Sequence, residues 1–441
     1  MAIIPQQRLF GWQEIEELGD LERLVLVLEH LPDEKLMCRL EKERGKGRDD
    51  YPVRAVWNSI MAGIIFQHPS IESLRRELLR NAQLREICGF NPIVGERAVP
   101  PAYVYSRFLK KLIRHTDEVE EIFGQLVDEA SRLLPDFGRV VALDSKAINS
   151  VARGKKRDSK PPKPDGRRDT DADFGKKTYR GHRSDGTLWE KVVTWFGYKL
   201  HLLVDAQYEL PVAYTVTKAS AGDVKEGHTL IERLAGERPA IIERCEILLA
   251  DKAYDDTKLL VKLWDEHRIK PVIDIRRLWR DGEETRLLGG RENVVYDYRG
   301  TVYCYCPETN KRREMAFGGF EKRREALKYR CPARHYGVAC QGMGRCKVAG
   351  GVRIPLAEDR RVFTPLARSS YQWKTMYRKR TAVERVNARL DEVFGFEKHF
   401  IRGLQKMRLR CALALIVMLA MAVGRLRQKQ GANWRSLVKA A

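Results

Sequence analysis

"GRVVALD" (residues 138–144) is a short β-branched run that ends on an acid, and the pattern of the chain changes there. Two further runs, "WFGYKLHLLVDA" (195–206) and "LPVAYTVTKAS" (210–220), read as strands that follow one another at once, which predicts an antiparallel hairpin. A helix over "DVKEGHTLIERL" (223–234), a strand in "CEILLADKAY" (245–254), a helix over "DDTKLLVKLWDEH" (255–267) and a strand in "IKPVIDIR" (269–276) complete the series. The order is three strands, helix, strand, helix, strand, which predicts an α/β unit with a mixed sheet flanked by helices.

That order is the ribonuclease-H-like arrangement, in which the first and fourth strands are neighbours. Asp144, at the end of the first, and Asp251, at the end of the fourth, are then brought side by side. Outward from this core, residues 1–135 form a helical N-terminal domain, with periodic apolar positions in "LERLVLVLEHL", "VRAVWNSIMAGIIF" and "VEEIFGQLVDEASRLL" and with Ser70 as a helix N-cap. The core's first part covers 136–277, a Cys-rich insertion 278–365, a basic helix and an apolar closing helix 366–425, and a basic tail 426–441. Residues 151–190 lack apolar periodicity and are rich in Lys, Arg, Asp, Gly and Pro, which predicts a mobile basic loop between the first two strands.

The 441 residues carry a net charge of +22, which points to a polyanionic partner, nucleic acid before an anionic membrane. The apolar run "CALALIVMLAMAVG" (411–424), bounded by Arg410 and Arg425, is shorter than the ~20 residues a bilayer span requires. It reads as a core helix, so no membrane partner is expected. The first residues show no signal-peptide pattern, and the expectation is a cytoplasmic protein with reduced thiols or metal ligands rather than disulfides.

"YRKRTAVERVNARL" (377–390) reads as a basic helix with a single acid, Glu384. Helical spacing places Tyr377, Arg380 and Glu384 on one face, with Asp391 two turns further along. Glu384 can thus join Asp144 and Asp251. Three converging carboxylates repel one another unless cations neutralise them, and two Mg²⁺ ions (Mn²⁺ as substitute) ~3.5–4 Å apart would also hold a phosphodiester in line. Arg378, Lys379, Arg380 and Arg385 can contact the DNA backbone around it.

"LDSK", "LADKAYD" and "YRKRTAVERVNARL" resemble the first Asp, the second Asp and the Tyr-x2-Arg-x3-Glu helix of DDE transposases from bacterial insertion sequences, and residues 51–115 resemble their helical N-terminal domain. The resemblance implies a Mg²⁺-dependent enzyme, working as a homodimer, that cuts the terminal inverted repeats of its own element and joins the 3′-hydroxyl ends to target DNA. By motif it makes Asp144, Asp251 and Glu384 metal ligands and gives Tyr377 and Arg380 the positioning of DNA. Two alternatives share these residues: a nuclease without strand transfer, and a catalytically dead DNA-binding regulator. The helices over "VRAVWNSIMAGIIF" and "SIESLRRELLRN", joined by a tight turn, are candidate readers of the element ends. One position departs from the family: Asp391 stands where a Lys is usual. The expectation is that Asp391 is no ligand, that Arg389, Lys398 or Arg402 neutralises it, and that Lys398 or Arg402 contacts the phosphate. His201 and His228 read as packed residues.

Cys304, Cys306, Cys331, Cys340 and Cys346 lie close together in the insertion. Thiolates at that density suit structural Zn²⁺, with His335 as a substitute ligand, stapling a segment too small to build a core.

Overall fold

The computed structural model describes residues 18–46, 50–154, 168–183 and 185–428. The expected helical start at 8–17, the centre of the basic loop at 155–167 and the tail from 429 lie outside the described residues.

The central sheet is built around one long strand. Its members are β1 (Val140–Asn149), β2 (Asp173–His182), β3 (Leu188–Asp205), β4 (Pro211–Lys218), β5 (Ile247–Ala250) and β6 (Lys270–Ile273). They lie in the order β2-β3-β1-β5-β6, with β4 also on β3. β1 is antiparallel to β3 and parallel to β5, and β5 is parallel to β6. Leaving out β2, this is the mixed ribonuclease-H-like sheet that the order of elements predicts.

β3 changes partners along its length. Leu188–Gly197 pairs with β2, while the remainder pairs with β1 on one edge and β4 on the other. Gly197 sits at the junction, and a Cβ there would lie 2.0 Å from the Ile148 carbonyl oxygen, so only glycine fits. The part of the expected loop from 173 to 190 is therefore a hairpin, not a loop. Its outer part extends past the core, leaving Leu188–Thr194 exposed, so ladder hydrogen bonds rather than burial on one face hold it. Alternation, which registers one-sided burial, has nothing to register there.

One continuous core joins the N-terminal helices, the sheet and the C-terminal helices. Ser70 caps helix Ile71–Arg80 by accepting from the Ser73 N–H at 3.2 Å. Helix Leu404–Arg427 is long and apolar enough by composition to cross a membrane, yet 89% of its apolar window is buried against the rest of the chain. Gly424 marks the closeness of that packing, because a Cβ there would lie 2.6 Å from Leu26 Cδ1.

The insertion, contrary to expectation, has a core of its own. Two small antiparallel sheets, β7 (Thr285–Leu287) to β10 (Arg312–Glu314) through β8 (Val294–Asp297) and β9 (Val302–Tyr305), and β11 (Ala316–Glu321) to β13 (Val352–Pro355) through β12 (Ala326–Arg330), close over Val294, Tyr296, Leu327, Tyr329, Ile354 and Phe363. Fully buried Asp255, just past the 3-10 turn that follows β5, holds both ends of the insertion. It accepts from the Arg276 N–H at 2.8 Å where the chain leaves, and from Arg361 Nη2 at 2.5 Å and Nε at 3.1 Å where it returns. Removing one partner of such a buried pair leaves a charge without compensation, at a cost of roughly 3–5 kcal/mol. Asp255→Ala should therefore lower the unfolding free energy measured by urea titration by that amount, with a lower midpoint, and bring early protease cleavage at 277–290 and 356–365. An unchanged midpoint and digestion pattern would contradict this role.

Candidate active site

The parallel register of β1 and β5 sets Leu143 opposite Ala250, so the next residues, Asp144 and Asp251, emerge beside each other. β1 continues to Asn149 because β3 goes on pairing with it, whereas β5 stops at Ala250. Asp144 is thus within its strand, not at its end as the sequence suggests. Its Oδ1 accepts from the Ser145 N–H at 2.7 Å. Asp251 caps a 3-10 turn, Lys252–Tyr254, by accepting from the Ala253 N–H at 2.8 Å. Tyr254 is fully buried, with its pKa raised by that burial and by Asp144, Asp223 and Asp251 around it.

Burial and the neighbouring Asp251 push the Asp144 carboxyl up to about 6, against the pull of the Ser145 N–H, Lys177 and Arg380. Asp144 is thus a desolvated carboxyl that the neighbouring Asp251 repels.

The stretch 371–393 is two helices, Tyr371–Arg378 and Ala382–Val393, joined by a 3-10 turn at Lys379–Thr381, rather than a single one. The backbone stays right-handed through the turn, and Arg380 still reaches Glu384, Nη2 to Oε1, at 2.9 Å. Its other nitrogen, Nη1, lies 3.8 Å from Asp144 Oδ2. Arg380 therefore stands between the first and third acids, while Glu384 is turned toward solvent with its side chain 53% exposed. Tyr377 stacks on Trp373 at 4.7 Å and lies under the Arg380 guanidinium at 5.7 Å.

The other basic candidates divide. Arg378, Lys379, Lys398 and Arg402 are exposed. Arg385 is turned to Glu209 in the β3–β4 turn at 2.7 Å, and Arg389 holds the same residue through its carbonyl at 2.6 Å and its carboxylate at 3.2 Å. Asp391 is neutralised by none of Arg389, Lys398 or Arg402. Its partner is Lys146, from the "LDSK" motif itself, at 2.5 Å, with Glu397 on the same ammonium at 3.2 Å. Burial raises the Asp391 pKa and Lys146 opposes it. The pair fastens the Glu384 helix to the strand that carries Asp144.

Two residues outside the predicted set belong to this site. Lys146 is one, and its signal was its spacing two residues past Asp144 on the same face of a strand. Lys177 is the other: from β2, its Nζ donates to the Ser145 carbonyl at 3.2 Å. His201 is fully buried beside Thr217 and Asp223, and that burial brings its pKa down to about 4. His228 faces Asp256 at 3.4 Å.

Among the described residues, no three His, Cys, Asp or Glu side chains stand arranged to hold a metal ion. For the acids the obstacle is Arg380, which occupies the Glu384 carboxylate. Asp144 and Asp251 alone fit a hard divalent cation, as two oxygen donors whose repulsion it would relieve. The five insertion cysteines are free thiols grouped in one region. Burial, with Cys331, Cys346 and Cys340 nearby, raises Cys304 to about 11. Cys340 sits beside Cys306 with Cys331 near it, and the insertion has in addition the hydrophobic core described above.

A ribonuclease-H-like sheet with two neighbouring acids at β1 and β5 and a glutamate helix fastened across it defines the class of DDE enzymes. A family model described as the transposase DDE domain matches residues 135–420, and the chain belongs to that family. No curated protein matches the chain. Among solved structures it is similar to a piggyBac transposase synaptic complex with hairpin DNA, at 10% identity over 96% of this chain and 86% of that one, with a TM-score of 0.33, a likeness too slight to support an argument.

Two predictions follow from this geometry. A carboxyl whose native pKa lies above its ordinary value keeps its proton in the native state while the unfolded chain loses it, so stability falls as pH rises from about 4 to about 6 and stays reduced above. In EDTA, Asp144→Asn should raise stability at pH 7.5 by on the order of 1–2 kcal/mol, and the gain should shrink toward pH 4.5. A destabilised variant at pH 7.5 would refute the repulsion. For the clamp, Lys146→Met and Asp391→Asn should each destabilise, with a coupling energy of roughly 1–3 kcal/mol in a double-mutant cycle. Strictly additive losses would show that the pair contributes nothing.

Proposed function

We propose that the protein is a DNA transposase that cleaves the ends of its own element and joins the freed 3′-hydroxyls to target DNA. The observation that carries this reading is the adjacency of the desolvated Asp144 to Asp251 on the neighbouring strands of the family's sheet. Asp144 and Asp251 would hold Mg²⁺, with Glu384 joining them on leaving Arg380, and the ion would neutralise the acids and polarise the scissile phosphodiester.

The chain's own residues position the DNA. Arg380 pairs with the acids in the free protein, and its guanidinium is placed to meet a phosphate once DNA enters. The Tyr377 ring beneath it limits where that guanidinium can swing. Exposed Arg378 and Lys379 extend the basic surface from there, and Lys398 and Arg402 do so beyond the helix. Each phosphate contact releases counterions, so binding should weaken steeply with salt. Arg385 and Arg389 belong to the fold, and their loss should act through stability.

A nuclease without strand transfer would share all these residues, so the test must read joining as well as cutting. With Mg²⁺ and duplexes carrying the ends that flank its own gene, the wild type should produce both nicked ends and products joined to a supercoiled plasmid. Asp251→Ala should bind the same duplexes about as tightly and form neither product. Glu384→Gln should lose cleavage far more severely than Asp391→Asn. Cleavage by Asp251→Ala near the wild-type rate would overturn the assignment, and cutting without joining by the wild type would favour the nuclease.

A further inference from the structure

The hairpin made by β2 and the outer half of β3 borders the acids, and apart from Lys177 it has no role in the site as described. We propose that it is a binding surface for an unpaired DNA strand beside the scissile bond, an inference that rests on the transposase reading.

The first observation is exposed apolar surface. Leu188 (74%), Phe174 (52%), Val192 (45%), Val193 (39%) and Trp189 (37%) are open to solvent within this one ribbon. The register gives the ribbon a flat aromatic face. Gly181 lies opposite Trp189, and Gly175 opposite Trp195. A Cβ at Gly181 would meet the Trp189 indole at 2.6 Å, and one at Gly175 would meet Trp195 at 2.3 Å, so both rings lie down across bare backbone. Trp195 is buried, but Trp189 keeps its outer side open. An indole braced on one side by a glycine is a rigid stacking platform, and unpaired bases offer the π-face it would take.

The second observation is charge and place. Residues 174–194 contain Lys176, Lys177, Arg180, Arg183 and Lys191 against Asp185 and Glu190. Lys177 reaches from this ribbon to the Ser145 carbonyl, next to Asp144. DNA lying at the acids therefore passes the ribbon. A second copy of the chain suits the surface less well, since it would bring like charge to like, and the apolar residues are split between two faces instead of forming one patch. Duplex DNA presents phosphates but no free base faces to an indole.

The test compares two labelled probes by fluorescence anisotropy: a mixed-sequence single strand of about 30 nucleotides and a blunt duplex of similar length carrying an element end. Trp189→Ala should weaken single-strand binding roughly tenfold, Trp189→Phe should restore most of it, and duplex affinity should change less than about twofold. Equal losses on both probes, or no loss on either, would overturn the proposal. So would a wild-type dimer that Trp189→Ala converts to monomer in sedimentation, because the ribbon would then be a protein interface. A wild type that binds the duplex but not the single strand would overturn the proposal and leave the transposase reading standing, whereas one that binds neither would remove both.

Discussion

The parallel pairing of β1 with β5 is the constraint on which the rest of the site depends. It sets Asp144 and Asp251 next to each other, with the Asp144 carboxyl desolvated, a placement that costs folding energy. A fold maintained for stability alone would gain by replacing either acid with an amide. The neighbouring cations, Lys177 and Arg380, only partly offset the repulsion, leaving the Asp144 carboxyl at about 6. The pair is suited to a strong, compact positive charge brought from outside the chain.

The basic helix that crosses this sheet end divides its cations between fold and ligand. Arg385 and Arg389 grip Glu209 and so fix the helix to the β3–β4 turn, while Lys146 and Asp391 fix it to β1. These two attachments determine where Glu384 sits relative to Asp144. Only Arg378, Lys379 and the bridging Arg380 then face the direction from which a polyanion would come. The +22 net charge is therefore a poor count of DNA contacts, because part of it is internal structure.

Much of the fold was legible because burial leaves a periodic trace. β3's inner half, β4, β5 and the helices between them bury one face or both, and their apolar runs marked them in the right order, which also made the Asp144–Asp251 neighbourhood readable. What escaped was structure held by backbone hydrogen bonds or by distant charges. β2 and the outer half of β3 bury almost nothing, so the ribbon resembled a loop and Lys177 was missed with it. Lys146 stood in plain view in "LDSK", but its partner is Asp391, and no local pattern connects residues so far apart. Cysteine density gave no sign that the insertion also has an aromatic and aliphatic core of its own. Helical spacing placed Arg380 beside Glu384 correctly but gave no sign that the arginine would also face Asp144.

Asp144 and Asp251 repel each other in the free protein, and a divalent cation would relieve the repulsion. Its most direct measurement is the pH titration of the Asp144 carboxyl carbon by ¹³C NMR, with and without Mg²⁺. The midpoint should lie at about 6 in EDTA and fall to the ordinary aspartate range or lower when Mg²⁺ is added. A midpoint at the ordinary value in EDTA, unmoved by Mg²⁺, would contradict the repulsion.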